Sequence, residues 1–114
     1  MGVNDPKEKW SVWRAAVYFE DDPTEFKERP VVILDDRVLL CVSLKVTSKE
    51  KNDRYHVRLK QWRAAGLSKP SWVDVSKVLE IKEQDFVSEI GMLDIEDITA
   101  IISRLSFMSN NRKR

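Results

Sequence analysis

The chain is poor in the residues on which many active sites depend. Among its 114 residues there is one cysteine, Cys41, and one histidine, His56. A single cysteine excludes an intrachain disulfide and a multi-cysteine zinc site, and a single histidine excludes mechanisms built on a histidine pair or a His-rich metal cage. Long apolar runs are missing too: the longest uncharged stretch of the apolar middle, Val38 to Leu44, is seven residues, far short of a membrane-spanning helix. The first residues carry no apolar signal core, and Pro6 stands where a myristoylation motif needs Ser or Thr, so a cytoplasmic protein is expected. No internal repeat occurs, and no low-complexity segment precedes the basic tail at 112–114.

A chain of 13.3 kDa that is 42% hydrophobic and 34% charged has the size of one domain and buries enough surface to fold without a covalent staple. One domain over 1–111 followed by the tail is the expected organisation. A net charge of only +1 argues at first against a nucleic-acid binder, but the total is an average. Residues 45–77 carry nine basic side chains against three acidic ones, while 1–44 carry six against nine and 78–111 two against seven. A basic middle lies between acidic flanks.

The hydrophobic period divides the chain in the same way. Residues 12–19 read as a first strand, ended by the loop Glu20-Asp21-Asp22-Pro23. Pro30 to Leu34 is a β-branched run with Asp35-Asp36 as hairpin turn residues, and Val38, Leu40, Val42, Leu44 and Val46 repeat at every second position. Tyr55, Val57 and Leu59 alternate with Arg54, His56, Arg58 and Lys60, which predicts a strand with a basic outer face. After Gly66 and Pro70, the residues Val73, Val75, Leu79 and Ile81 read as one more strand. A short helical turn is expected around 84–89. At the end, Ile95, Ile98, Ile101, Ile102 and Leu105 take helical spacing, with Asp94 as N-cap and Asp97 favouring the helix dipole. Five or so short strands without crossover helices predict an antiparallel, mainly β barrel or half-barrel closed by a C-terminal helix.

Several groups of residues offer chemistry, each beside a plainer reading. Arg29, before Pro30, is held extended by the proline and is suited to bidentate phosphate binding, or is an ordinary surface arginine. Lys45-Val46-Thr47-Ser48-Lys49 sets two hydroxyls between cations, as a phosphate-binding element or a polar turn. Arg54, His56, Arg58 and Lys60, with Tyr55 and Trp62, would track a single strand and stack a base, or form a solvated face that prevents edge pairing. The carboxylates Glu20-Asp21-Asp22 and Asp35-Asp36 lack metal-ligand spacing and read as turn chemistry. Trp10, Trp13, Trp62 and Trp72 read either as an aromatic cage for a peptide or methylated lysine, or as partly buried barrel residues or dimer contacts.

Taken in order, these elements resemble the PemK/MazF family of toxins. The resemblance runs from Val12 to Leu105: an aromatic-rich first strand, Arg29-Pro30 before an aliphatic strand, Val46-Thr47-Ser48 closing a later strand, and Gly91-Met92-Leu93 before the last helix. It implies an SH3-like barrel with a C-terminal helix, a homodimer, a cognate antitoxin, and metal-independent cleavage of single-stranded RNA at short sites without a cofactor. It implies Arg29 and Thr47 as the catalytic pair, and the basic segment beside them supplies Ser48, Lys49, Lys51, Arg54, His56 and Arg58 as the expected RNA contacts. The implied chemistry is attack of a ribose 2′-hydroxyl on the adjacent phosphorus, which leaves a 2′,3′-cyclic phosphate and a 5′-hydroxyl. A fixed guanidinium and a hydroxyl suit the charge that develops on the phosphate; no side chain is assigned as general base. The other class of function open to such a barrel is a non-catalytic interaction module that holds a peptide on Trp62 and Trp72.

Overall fold

The computed structural model of the protein describes residues 6–37 and 39–112. Val38 of the expected alternating strand, and Lys113 and Arg114 of the tail, lie outside the described residues. Among the described residues seven strands and one α-helix follow in order: β1 (Ser11–Tyr18), β2 (Phe26–Arg37), β3 (Leu40–Thr47), β4 (His56–Arg58), β5 (Trp72–Asp74), β6 (Leu79–Lys82), β7 (Phe86–Met92) and α1 (Ile95–Arg112). Every strand pairing is antiparallel, in the order β4-β5-β3-β2-β1-β7, with β6 also paired to β3. Both faces of this coiled sheet are covered. One carries the main core of Val12, Val32, Leu44, Val46, Leu59, Val73 and Ile101, and the other a smaller cluster of Ala15, Val31 and Ile81.

The period placed the long elements correctly and erred where a local turn or a long-range contact intervened. The run from Val73 to Ile81 is two strands, because Asp74 Oδ1 accepts both the backbone N–H (2.8 Å) and the hydroxyl (2.6 Å) of Ser76 and turns the chain. The expected basic strand shrinks to three residues. The helical turn at 84–89 is a 3-10 turn of three residues, Glu83–Asp85, after which the chain re-enters the sheet as β7 beside β1. Asp35 and Asp36 are no hairpin turn; both belong to β2. Asp36 faces inward, where Oδ2 accepts the Lys7 backbone N–H at 2.6 Å and Oδ1 lies 3.2 Å from Cys41 Sγ.

The helix is capped as its sequence predicts, by Asp94 Oδ2 accepting the Glu96 N–H at 2.9 Å. Its packed face is narrower than expected. Ile98, Ile101, Leu105 and Met108 meet the core, while Ile95 and Ile102 are exposed. Asp97 does more than face a dipole. It is 1% exposed, and its two oxygens accept the backbone N–H groups of Lys60 (2.8 Å) and Gln61 (2.9 Å). The helix thereby caps the turn at 60–66 from across the fold.

Candidate active site

The site follows from where β3 runs on past its pairing with β2. That register runs as far as Val31↔Lys45, while on the other edge of β3, beyond its pairing with β6, Val46 and Thr47 pair with β5 (Val46↔Val73, Thr47↔Trp72). Beyond Val31 the two strands part. Continued two positions, their register sets Arg29 beside Thr47. The parting also explains Pro30, which sits inside β2 rather than at its start: β3 has left β2 there, so the missing N–H costs no ladder bond.

A cleft of about 460 Å³ opens at this wedge. Arg29, Thr47 and Ser48 line it, together with Arg14, Lys27 and Glu28 from the sheet and Ser68, Lys69 and Ser71 from the loop opposite. Arg29 and Thr47 are half-buried. Thr47 Oγ1 accepts the backbone N–H of Lys49 at 3.1 Å, which fixes the hydroxyl in a turn and leaves its proton to donate. The facing loop is held close by two glycines. Gly66 has φ +89°, and a Cβ on Gly91 would fall well inside contact distance of the Ala65 carbonyl oxygen. Only glycine permits that approach, so Gly91 sets the height of the wall that carries Ser68 and Lys69.

The expected RNA-contacting residues do not share one groove. Lys51, His56 and Arg58 line a separate cleft of about 600 Å³ with Pro70, Trp72 and Arg104, on the other side of the chain segment around Ser71. Lys49 and Arg54 line neither cleft. Arg54 lies over the Tyr55 ring at 5.3 Å, and its carbonyl oxygen accepts a hydrogen bond from Arg104 at 2.8 Å. His56 is no exposed strand residue: its side chain is 13% exposed, with Nδ1 2.8 Å from Asp53 Oδ1 and Nε2 3.9 Å from Asp74 Oδ2. That hydrogen bond from His56 holds the Asp53 carboxyl below the usual carboxylate range.

Sequence reasoning passed over Arg14, Lys69 and Arg104. Arg14 carried a usable signal, since it is a charge on the face that strand period assigns to the buried Val12, and it stands exposed directly opposite Pro30. Lys69 and Arg104 carried none, because a loop and a helix bring them to the clefts.

The tryptophans resolve toward the core. Trp72 is 8% exposed and Trp62 packs against the main cluster, so the surface an interaction module would need is largely buried. Trp13 meets Phe86 edge-on at 5.9 Å, and the chain's own Lys7 ammonium lies 5.1 Å and 4.6 Å from the two ring centroids. That aromatic pair already holds a cation. The acidic loop is turn chemistry: Asp22 Oδ1 accepts the N–H and the hydroxyl of Thr24, which lowers its pKa, and Glu20 is ion-paired with Lys77. Among the described residues no cluster of three His, Cys, Asp or Glu is placed to hold a metal, and no helix is long and apolar enough to cross a membrane.

An antiparallel coiled sheet with a C-terminal helix, whose cleft gathers an Arg-Pro strand and a Thr-Ser strand end, has its counterpart among bacterial toxins. The family model described as PemK-like, MazF-like toxin of type II toxin-antitoxin system matches residues 8–108, and the chain belongs to that family. Its fold is similar to that of the Mycobacterium tuberculosis toxin MazF-mt6 (TM-score 0.69, 21% identity, covering 88% of this chain and 96% of that one). It is also similar to the Deinococcus radiodurans MazE-MazF structure (TM-score 0.71, 13% identity, 91% and 96%). A third similar structure is an endoribonuclease in complex with its cognate antitoxin from a mycobacterial species (TM-score 0.68, 12% identity, 89% and 92%). No curated protein matches the chain in sequence.

Proposed function

We propose that the protein is an endoribonuclease that cleaves single-stranded RNA in the cleft between β2 and β3, with Arg29 and Thr47 as catalytic residues. The observation that carries this reading is the meeting of those two side chains in one cleft, at the point where β3 leaves β2. The developing charge on the phosphate needs donors already in place. The half-buried Arg29 supplies a planar, permanently charged fork, and the Thr47 hydroxyl, oriented by Lys49, supplies a second donor. Arg14, Lys27 and Lys69 add positive charge around the cleft, which draws the backbone in without reading sequence.

In this reading one domain carries the activity, a homodimer is the working form, and the protein acts in the cytoplasm without a metal. A cognate antitoxin neutralises it, as family membership and the antitoxin complexes among its structural neighbours support. Its acidic segment would compete for the same cations. Ser48 contacts RNA in the first cleft, and Lys51, His56 and Arg58 contact it in the second, with Lys49 and Arg54 on the exposed loop between them.

The test is cleavage of long single-stranded RNA by purified protein in excess chelator, with the new ends mapped. The expected products carry 2′,3′-cyclic phosphate and 5′-hydroxyl ends, and Arg29→Ala and Thr47→Ala abolish them while melting normally. Intact RNA across varied sequences, from folded protein free of antitoxin, would refute the proposal.

A further inference from the structure

Arg29 belongs to two pockets. Besides the cleft it shares with Thr47, it lines a second pocket of about 350 Å³ with Val17, Phe19, Lys45, Lys77 and Leu79. Strand register explains the grouping. Ala15 pairs with Arg29, Val17 with Lys27 and Val31 with Lys45, so Val17, Arg29 and Lys45 project from one face. Val17 and Leu79 belong to the packed edge of the smaller core cluster and form an apolar floor. Phe19 stands 41% exposed just past the end of β1. Lys77 is anchored at the rim by its ion pair with Glu20.

An apolar floor, an exposed ring and three cations within one small pocket match the parts of a nucleotide. Aromatic side chains stack unpaired bases, and neighbouring Arg and Lys hold the flanking phosphates. The volume falls at the lower end of small-ligand sites, roughly 300–1,000 Å³. Two carboxylates, Glu20 and Asp21, also line it. They repel phosphate but accept hydrogen bonds from exocyclic amino groups, which gives the pocket a means of selecting bases that donate.

We infer that this pocket is a nucleotide subsite of the RNA groove, in which a base stacks on Phe19 over Val17 and Leu79 while its phosphate lies between Arg29 and Lys45. The inference rests on the proposed RNA cleavage and deepens it. Arg29 lines both pockets, so the phosphate it shares with Lys45 is the one held for attack. The site is independent of the basic 54–60 segment.

The experiment measures binding of a randomised pool of 2′-fluoro RNA octamers, which lack the attacking hydroxyl, by fluorescence anisotropy, with KM and kcat for cleavable RNA measured alongside. Phe19→Ala is expected to raise Kd and KM about tenfold with kcat little changed, in line with the loss of one stacked base. Phe19→Trp restores binding, because the ring and not its bulk is what the base uses. Lys45→Ala weakens binding and flattens its salt dependence. Unchanged Kd and KM in Phe19→Ala, from a protein that still binds and cleaves, would overturn the subsite and leave the RNA-cleavage reading standing. Absence of both binding and cleavage in the unaltered protein would overturn that reading and the subsite with it. A Phe19→Ala protein that falls apart into monomers in sedimentation velocity, with octamer affinity per folded chain unchanged, would make this edge a contact between copies and overturn the subsite.

Discussion

Asp97 in the first turn of α1 accepts the backbone N–H of Lys60 at 2.8 Å, across 37 residues of sequence. Its second oxygen takes the N–H of Gln61, so one buried carboxylate caps a turn that leads, by way of Gly66, to the wall of the cleft. Asp97→Ala leaves the two N–H groups of Lys60 and Gln61 without their carboxylate partner and is expected to cost about 2–4 kcal/mol. Asp97→Asn keeps one acceptor and costs about half as much. Urea denaturation of both variants measures the difference, and equal stability of Asp97→Ala and the parent would show that the turn caps itself.

Gly91→Ala drives a methyl group into the Ala65 carbonyl. The obstacle is backbone rather than the end of a flexible side chain, so the strand or the facing turn must move. The expected loss is about 1–3 kcal/mol, with reduced cleavage because Ser68 and Lys69 shift with the turn. Thermal melting and the rate of RNA cleavage report the two effects separately.

Arg29→Lys and Thr47→Ser distinguish charge from geometry at the reacting phosphate. Lysine keeps the charge but loses the fork, and is expected to lower kcat by about 10²–10³-fold, the cost of losing one preorganised donor. Serine keeps the hydroxyl and the turn contact to Lys49, so Thr47→Ser retains most activity and Thr47→Ala does not. Equal activity in the lysine variant would show that charge alone suffices.

Removing the imidazole of His56 raises the Asp53 pKa, since the His56 hydrogen bond is the main cause of its depression. A depressed carboxylate contributes stability that is present above the unfolded value, about 3.9, and is lost as pH falls through the lower folded value. His56→Ala therefore loses its stability difference from the parent only at acid pH. Carboxyl carbon NMR shifts followed with pH give the Asp53 titration directly, and an unmoved midpoint in His56→Ala would refute the linkage.

Cys41 is buried, and burial together with the neighbouring Asp36 carboxylate pushes its thiol up to about 12. At pH 8 it carries almost no thiolate and is shielded from solvent. An aromatic disulfide reagent is expected to leave the folded protein unlabelled for hours and to react with one thiol per chain in denaturant. Rapid labelling under native conditions would show that the strand edge opens.

Much of the fold is legible in the residues themselves, because period and capping are local. Alternation through Leu40, Val42, Leu44 and Val46 located β3, and Asp94 located the start of α1. The same reasoning failed at Asp74–Ser76, where two hydrogen bonds broke one apparent strand into two, and at Asp36, whose turn-forming side chain is used inside the fold. It also overcounted the helix face, since spacing cannot tell which of two neighbouring stripes meets a core. Candidate residues fared likewise. Arg29, Thr47 and Ser48 meet in one cleft, whereas Lys51, His56 and Arg58 meet in another, and Lys49 and Arg54 line neither.

The sequence by itself determined a single mainly β domain with a capped C-terminal helix, a basic middle, and chemistry limited to arginine, hydroxyl and carboxylate. Hydrophobic period, turn residues and composition are enough for that, because each acts over a few residues. Only the tertiary structure decided that β3 runs on past its pairing with β2 beyond Lys45, that Gly91 lets a loop close over the resulting wedge, and that Arg29 lines two pockets. These depend on register and on contacts between distant segments, where the free energy of one pairing over another is set by packing that no local pattern records.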